Sequence, residues 1–252
     1  MRFLLYNIRY CTGTGWKFHL RGGYLKRTRA NAKRIIDFIK TKKPDIVGLV
    51  EVDSGTYRTG KKNQAEKIAV ALEHSHVYES KYGQNSWLRK MPLVKSQGNA
   101  FITGEQTHIK RFHYFSSGVK KLVIELEFEN FAIFLVHLSL GHRNRHKQLY
   151  ELHELFSKTE KPIIVTGDFN PLWGDDELDL FKAATGLINA NLQGLPTYPS
   201  TRPRRQLDFF LHSPTIQVNH FEIPQIQLSD HMPIVVDFEV VKSLKKSLDT
   251  NN

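Results

Sequence analysis

Short apolar runs rich in β-branched and aromatic residues recur along the chain, and a polar side chain directly follows several of them. Residues 46–50 precede Glu51, and residues 131–136 precede His137. Runs of this length and composition predict buried β-strands. A carboxylate after a buried strand is costly unless it is solvated, paired or bound to a metal. The pattern therefore predicts a sheet protein whose strand ends carry polar groups.

Further elements are predicted between these strands. Apolar residues recur at helical spacing in residues 25–40 and 63–73, and a basic cluster at 141–147 leads into a third helix. Strands are also expected at 3–8, 97–102, 119–126, 161–166 and 234–238, and at 207–211, where Asp208 interrupts an apolar run. Residues 11–24 and 82–94 are expected to be loops, the second a packed excursion or a binding loop.

Length and composition exclude several classes of protein. A chain of 252 residues is expected to form one domain, spanning 1–241, with a frayed tail at 242–252. No apolar run approaches the roughly 20 residues that a bilayer requires, and the N-terminus turns polar at Asn7, too early for a signal peptide. The single cysteine, Cys11, permits no internal disulfide. This favours a reducing compartment, so we expect a cytoplasmic protein.

The charge balance points to the kind of partner. Lys and Arg number 36 against 25 Asp and Glu, which gives a formal net charge of +11. Such a surplus favours a polyanion, either nucleic acid or the phosphate-rich face of a membrane, although a merely solvated basic surface would give the same count.

The candidate functional residues are those at the strand ends. Each also has a local explanation: Asp168 and Asn170 can form an Asx turn, and a histidine after an apolar run is often a hydrogen-bonded structural group. Together they form a set that coincidence explains poorly, and His231 beside Asp230 is a natural candidate for proton transfer. The full set is Asn7, Glu51, His137, Asp168, Asn170, Asp208, Asp230 and His231.

Seven motifs in order, LLYNI, IVGLVEVD, QGNAFIT, FLVHLSL, VTGDFN, RQLDFFL and SDHMPI, run from residue 4 to residue 234. With them the chain resembles the endonuclease/exonuclease/phosphatase superfamily, in particular its pancreatic deoxyribonuclease-like members. The resemblance implies an α/β fold, a four-layer α/β sandwich in which two mixed β-sheets pack face to face between flanking helices. It also implies an active site where the strand ends of the two sheets meet.

The resemblance implies a metal site. Glu51 matches the main metal carboxylate, with Asn7 beside it and Asp230 near the metal. Hard oxygen ligands of this kind suit Mg²⁺, or Mn²⁺, better than zinc. One departure concerns Arg9, which stands where apurinic endonucleases have an acid, so their exact metal arrangement is not expected here.

It also implies the catalytic roles. His231 matches the catalytic imidazole and Asp208 the carboxylate that orients it. Asp168 and Asn170 match the pair that contacts the attacking water and the phosphoryl oxygen, and His137 matches a phosphate-supporting position. The expected substrate-binding residues are Asn99, Arg143, Arg202, Arg204 and Arg205.

The expected function is that of a Mg²⁺-dependent phosphoesterase, acting as a monomer, in which water attacks a phosphodiester in line. A phosphodiester repels nucleophiles, so a divalent cation must neutralise its charge and a base must take the proton of the water. Nucleic acid is the favoured substrate. The alternatives are a phosphorylated lipid or small molecule, such as a phospholipid or an inositol phosphate, and a binding protein that kept the fold without the activity.

Overall fold

The computed structural model describes residues 1–15, 28–82, 91, 94–172, 174 and 176–241. The predicted loop residues 16–24, the predicted helix start at 25–27, most of the predicted loop 82–94 and the predicted tail 242–252 lie outside this part of the chain.

The first sheet is mixed and six-stranded. Its strands are β1 (Arg2–Asn7), β2 (Ile46–Asp53), β3 (Ser75–Ser80), β4 (Gln97–Thr103), β11 (Ile216–Glu222) and β12 (Ile234–Val240). Their spatial order is β11-β12-β1-β2-β4-β3. Only β1 and β2 are paired in parallel.

The second sheet repeats this plan. Its strands are β5 (Ile109–Tyr114), β6 (Leu122–Glu127), β7 (Ala132–His137), β8 (Ile163–Asp168), β9 (Ile188–Asn189) and β10 (Asp208–His212). They lie in the order β5-β6-β7-β8-β10-β9, and only β7 and β8 are parallel. Asp208 begins β10, so it does not interrupt a strand as predicted.

Helices cover the outer face of each sheet. They are α1 (Arg29–Lys42), α2 (Gln64–Leu72), α3 (His142–Phe156) and α4 (Asp176–Thr185). A core of strand residues such as Phe3, Phe101 and Phe210 fills the space between the sheets. Two outer cores pack α1 and α2 on the first sheet, and α3 and α4 on the second. The predicted four-layer α/β sandwich is confirmed.

The position of the site follows from these connections. A parallel pair needs a crossover, and α1 and α3 supply one each, so the carboxyl ends of β1, β2, β7 and β8 lie at one edge of the sandwich. Because β10 and β12 run antiparallel to β8 and β1, they begin at that same edge. No helix in the described part of the chain is both long and apolar enough to cross a membrane.

Candidate active site

The strand ends of the two sheets meet in a buried polar cluster. Asn7, at the end of β1, donates from Nδ2 to Oδ2 of Asp168, at the end of β8, over 3.1 Å. Asp208, at the start of β10, lies opposite Asp168 in the strand register. The predicted candidates from both sheets are therefore brought together at one edge.

The imidazole of His231 is held by Asp208. The distance from His231 Nδ1 to Asp208 Oδ2 is 2.7 Å, and the Thr197 hydroxyl donates to the same oxygen, also over 2.7 Å. With Nδ1 donating, Nε2 is directed into the cluster, 3.9 Å from Oδ2 of Asp168. The ring of Tyr198 packs against the imidazole, with 4.9 Å between ring centroids. Burial opposes protonation of His231, but the negative charges of Asp208 and Asp168 outweigh it and raise its pKa to about 10.

Asp168 is the hub of the cluster. Besides Asn7, its carboxylate accepts from the backbone N–H of Asn170 over 3.2 Å and lies 3.3 Å from Nε2 of His137. Burial opposes its ionisation, yet the charge of His231 and the hydrogen bond with His137 hold its pKa well below the ordinary value. Asn170 has a positive φ of 53° and donates from Nδ2 to the carbonyl of Leu138 over 3.0 Å. Asp168 is therefore an ionised acceptor fixed on several sides.

Glu51 lies on a β-bulge. The register of β2 against β4 shifts between Leu49 and Val52, and Glu51 has a positive φ of 57°. Its backbone N–H donates to Oδ1 of Asn99 over 3.4 Å, and Nδ2 of Asn99 has no partner among the described residues. Burial would raise the pKa of Glu51, but its electrostatic interactions with His137 and Lys120 lower it. A bulge redirects a side chain, and here it places a carboxylate inside the cluster.

Asp230 is paired with a cation of the chain itself. Nε of Arg9 lies 3.3 Å from Oδ2 of Asp230, and the backbone N–H of Arg9 donates to Oδ1 of Asn7 over 3.1 Å. The residue that departs from the apurinic endonuclease pattern therefore contacts two of the three predicted metal ligands.

Two lysines that the sequence did not single out reach the cluster. Nζ of Lys120 is in hydrogen-bonding contact with Nε2 of His137. Burial and this positive charge lower the pKa of His137 to about 4, so the imidazole is neutral at physiological pH. Lys81 is buried and donates to the hydroxyl of Tyr10 over 2.8 Å. Burial lowers its pKa to about 8, although the charge of Glu51 acts in the opposite direction.

The predicted substrate-binding residues lie in three places. Asn99 is buried beside Glu51, and Arg143 is exposed in the first turn of α3. The loop 197–205 is fixed to the cluster by Ser200, whose N–H donates to the carbonyl of Asp230 over 2.7 Å. Its three arginines, Arg202, Arg204 and Arg205, are also exposed.

The oxygen donors suit a hard divalent cation. Burial raises the pKa of Asp230, and the negative charge of Glu51 raises it further, so these two carboxylates share one region. A divalent cation held by Glu51 would offset that repulsion, and the Asn7 amide adds a further oxygen donor. Among the described residues, Asp168, Asp208 and His231 also offer ligand atoms within 4.8 Å of one another. Asp208 and His231 already share a short hydrogen bond, as the carboxylate and imidazole of a proton-transfer pair do.

The chain is similar to known proteins in sequence pattern and in fold. The model of the Endonuclease/Exonuclease/phosphatase family matches residues 4–231. Among solved structures, a mannosyl-6-phosphatase from Bacteroides thetaiotaomicron is similar with a TM-score of 0.68 and 17% identity, over 95% of this chain and 99% of that chain. The human nocturnin catalytic domain matches with a TM-score of 0.67 and 19% identity, over 96% of this chain and 94% of that chain.

A humanized TDP2 from D. rerio also has a TM-score of 0.67, with 15% identity over 95% of this chain and 99% of that chain. No curated protein sequence matches the chain significantly. At these identities the structural neighbours establish the fold alone.

Proposed function

The chain belongs to the endonuclease/exonuclease/phosphatase family, and from this premise we propose that it is a Mg²⁺-dependent phosphoesterase that hydrolyses phosphodiester bonds of nucleic acid. The observation that supports this most directly is the 2.7 Å hydrogen bond between Asp208 and His231, formed beside Asp168. An oriented imidazole next to an ionised acceptor can position a water molecule and exchange its proton.

Glu51 would hold the metal, with Asn7 and Asp230 as further oxygen donors. When bound, Mg²⁺ supplies charge neutralisation at the non-bridging phosphoryl oxygen. The same oxygen donors could also bind Mn²⁺. The ion pair of Asp230 with Arg9 gives this acid a second role, because Arg9 also brings a positive charge to the phosphate.

Proton transfer would take place at Nε2 of His231. Asp208 fixes Nδ1–H and stabilises the imidazolium that forms, while Asp168 and Asn170 orient the attacking water and the phosphoryl oxygen. Because the neighbouring carboxylates hold a proton on His231, the imidazole acts as a base once part of their charge is offset by a cation. His137 stays neutral and supports the phosphate together with Lys120 and Asn99.

The preference for nucleic acid rests on the exposed cations around the cluster. The arginine-bearing loop adjoins His231, and Arg143 is exposed in the first turn of the helix that follows His137. Several exposed cations near a scissile phosphate suit an extended polyanion better than a small head group.

The proposal is tested with purified protein and four substrates: plasmid DNA, single-stranded oligonucleotides, sphingomyelin and phosphoinositides. We expect hydrolysis of nucleic acid with Mg²⁺, none with EDTA, and a loss of at least about 10³-fold in His231→Ala. Hydrolysis of the lipids alone would show that the substrate is a phospholipid or an inositol phosphate and not nucleic acid. Binding of nucleic acid without hydrolysis of any substrate would favour the binding protein.

Hydrolysis that survives in His231→Ala would refute the assigned mechanism. Glu51→Ala tests the metal site separately, because its activity at limiting Mg²⁺ should fall and recover in part at high Mg²⁺. Full activity of Glu51→Ala at limiting Mg²⁺ would refute the metal assignment.

A further inference from the structure

A cationic cavity lies just after β2, the strand that carries Glu51, where the following segment meets the start of α1. It has a volume of about 320 Å³. It is formed between the start of α1 and the short 3-10 helix Tyr57–Thr59 that follows β2. Its lining, among the described residues, consists of Arg29, Tyr57, Arg58, Gly60 and Lys61. None of these residues belongs to the catalytic cluster.

Three of the described residues that line this cavity are cationic, and none of them is acidic. Partial burial and the charges of Lys62 and Arg29 hold the pKa of Lys67 below its ordinary value, so cations of this region repel one another. The first turn of α1 contains no acidic residue, although the positive end of the helix dipole favours one there. An anion bound in the cavity would offset both unfavourable interactions.

Asp53 lies near the cavity, but its negative charge is already neutralised by an ion pair. Asp53 and Arg58 form a fully buried ion pair, and the Thr56 hydroxyl and backbone N–H also donate to the Asp53 carboxylate. Asp53 therefore fixes Arg58 and leaves Arg29 and Lys61 as the exposed cations of the cavity.

A chain of contacts connects the cavity to the active site. The guanidinium of Arg58 lies over the ring of Tyr10, 4.3 Å from its centroid, and the Tyr10 hydroxyl accepts from Lys81. Lys81 in turn interacts electrostatically with Glu51, which lies two residues before Asp53 on the same strand. The cavity is thus held at a fixed position relative to the predicted metal carboxylate.

The cavity also presents an aromatic side chain. Tyr57 exposes 60% of its surface at the rim. Exposed aromatic rings among cations are the combination that binds single-stranded nucleic acid, in which bases stack on rings and phosphates contact Lys and Arg. Neither feature alone would distinguish this surface from the rest of a basic protein.

We propose that this cavity is a binding subsite for a segment of single-stranded nucleic acid next to the scissile bond. A non-scissile phosphate contacts Arg29 and Lys61, and the adjacent base stacks on Tyr57. This inference rests on the proposed function, since it names the substrate segment that the same active site would act on.

The test compares two double variants with the same loss of charge. Arg29→Gln with Lys61→Gln removes the two exposed cations of the cavity. Lys40→Gln with Lys158→Gln is the control, because both lysines are exposed near the C-terminal ends of α1 and α3, at the far edge of the sandwich. Tyr57→Ala tests the stacking contribution.

We expect KM for an oligothymidylate of about ten nucleotides to rise by about tenfold in the cavity variant and in Tyr57→Ala, with kcat unchanged. Hydrolysis of bis(4-nitrophenyl) phosphate, which is too small to reach the cavity, should stay as in the wild type. The control variant should change KM by less than about twofold at equal ionic strength.

Dissociation constants for a fluorescent oligothymidylate, measured in EDTA, separate this inference from the proposed function. A wild type that hydrolyses nothing would refute the phosphoesterase, while the cavity variant would still be expected to bind about tenfold more weakly. Equal binding by wild type and cavity variant would refute the subsite. An equal loss of hydrolysis of oligothymidylate and of bis(4-nitrophenyl) phosphate in the cavity variant would indicate a structural role for these residues. Weaker binding of the cavity variant to anionic lipid vesicles, with unchanged binding of oligothymidylate, would indicate a membrane-binding surface. Either result would overturn the proposal.

Discussion

The imidazole of His231 is oriented by a carboxylate 23 residues away in the chain and not by its neighbour Asp230. Asp230 is directed to Arg9, which leaves Asp208 to accept the Nδ1 hydrogen bond. A carboxylate in this position fixes the tautomer and stabilises the imidazolium, whereas an amide can present its NH₂ group to Nδ1 and reverse the tautomer.

Asp208→Asn is therefore expected to lower kcat by about 10⁴-fold, as the equivalent change does in a serine protease triad. The fold should persist, because asparagine has nearly the same shape as aspartate. Steady-state hydrolysis of an oligonucleotide and far-ultraviolet circular dichroism measure the two properties. Activity within tenfold of the wild type would show that Asp208 does not orient the base.

Lys120 contributes a fixed positive charge beside the proposed phosphate position. Its contact with His137 and its effect on the pKa values of Glu51 and Asp168 place the charge inside the cluster. We expect Lys120→Met to lower kcat by about 10²-fold, as the loss of one preorganised electrostatic contact commonly does.

The neighbouring Lys121 provides the matched control. Its Nζ donates to the carbonyl of Ser116 at the surface, over 3.0 Å, so Lys121→Met removes an equal charge outside the cluster. Its kcat should stay within about twofold of the wild type. Equal effects of the two substitutions would show that only the net charge matters.

At the scale of elements, the strands that the sequence predicted are those buried within the sheets. Runs such as residues 46–50 and 131–136 are continuously apolar because both faces of the strand are covered. The strands that were not predicted are the edge strands β3, β5, β9 and β11. Their sequences are mainly polar, as in IKRFHY and IQVNHFE, because an edge strand faces solvent.

Only the site residues that follow apolar runs could be predicted from the sequence. Residues that follow apolar runs, such as Glu51 and His137, were predicted as candidates, and the structure places them in one cluster. Lys81 follows an edge strand and Lys120 lies among polar residues before β6, so neither had a pattern that set it apart from the other lysines. Arg9 was noted only as a departure, since its pairing with Asp230 depends on the antiparallel packing of β12 against β1.

The junction of β7 and β8 gives an element-scale prediction. Gly167 lies opposite Val136, has a φ of +139°, and a Cβ there would lie 1.9 Å from the Val136 carbonyl oxygen. Gly167→Ala should lower the free energy of unfolding by about 2 kcal/mol or more, because both the contact and the dihedral angle are unfavourable. Since His137 and Asp168 are the next register pair, activity should fall as well.

Urea unfolding of Gly167→Ala and Gly141→Ala measures this effect. A Cβ at Gly141 meets no atom within 4 Å and the backbone φ is −78°, so this control should lower stability by no more than about 1 kcal/mol, the cost of a less favourable N-cap residue on α3. Equal stability of the two variants would show that the strands separate at little cost.

At the scale of the whole molecule, the net charge of +11 matters through its distribution around the active edge. Exposed arginines of the 197–205 loop adjoin His231, and the cationic cavity lies just after β2, the strand that carries Glu51. Each phosphate neutralised on a single strand releases condensed counterions and adds about −0.7 to the slope of log K against log salt concentration. Binding of nucleic acid should therefore weaken steeply with salt.

Replacing Arg202, Arg204 and Arg205 by Gln should reduce the magnitude of that slope by about 2, because roughly three phosphate contacts are removed. Replacing Lys40, Lys110 and Lys158 by Gln removes the same net charge at exposed positions of α1, β5 and the end of α3, away from the strand ends that form the site. Binding of a fluorescent oligonucleotide between about 50 and 200 mM KCl gives both slopes. If the two triple variants shift the slope equally, binding follows the net charge alone and the arginine loop makes no direct contact with phosphate; if only the arginine variant shifts it, the loop tracks the strand beside His231.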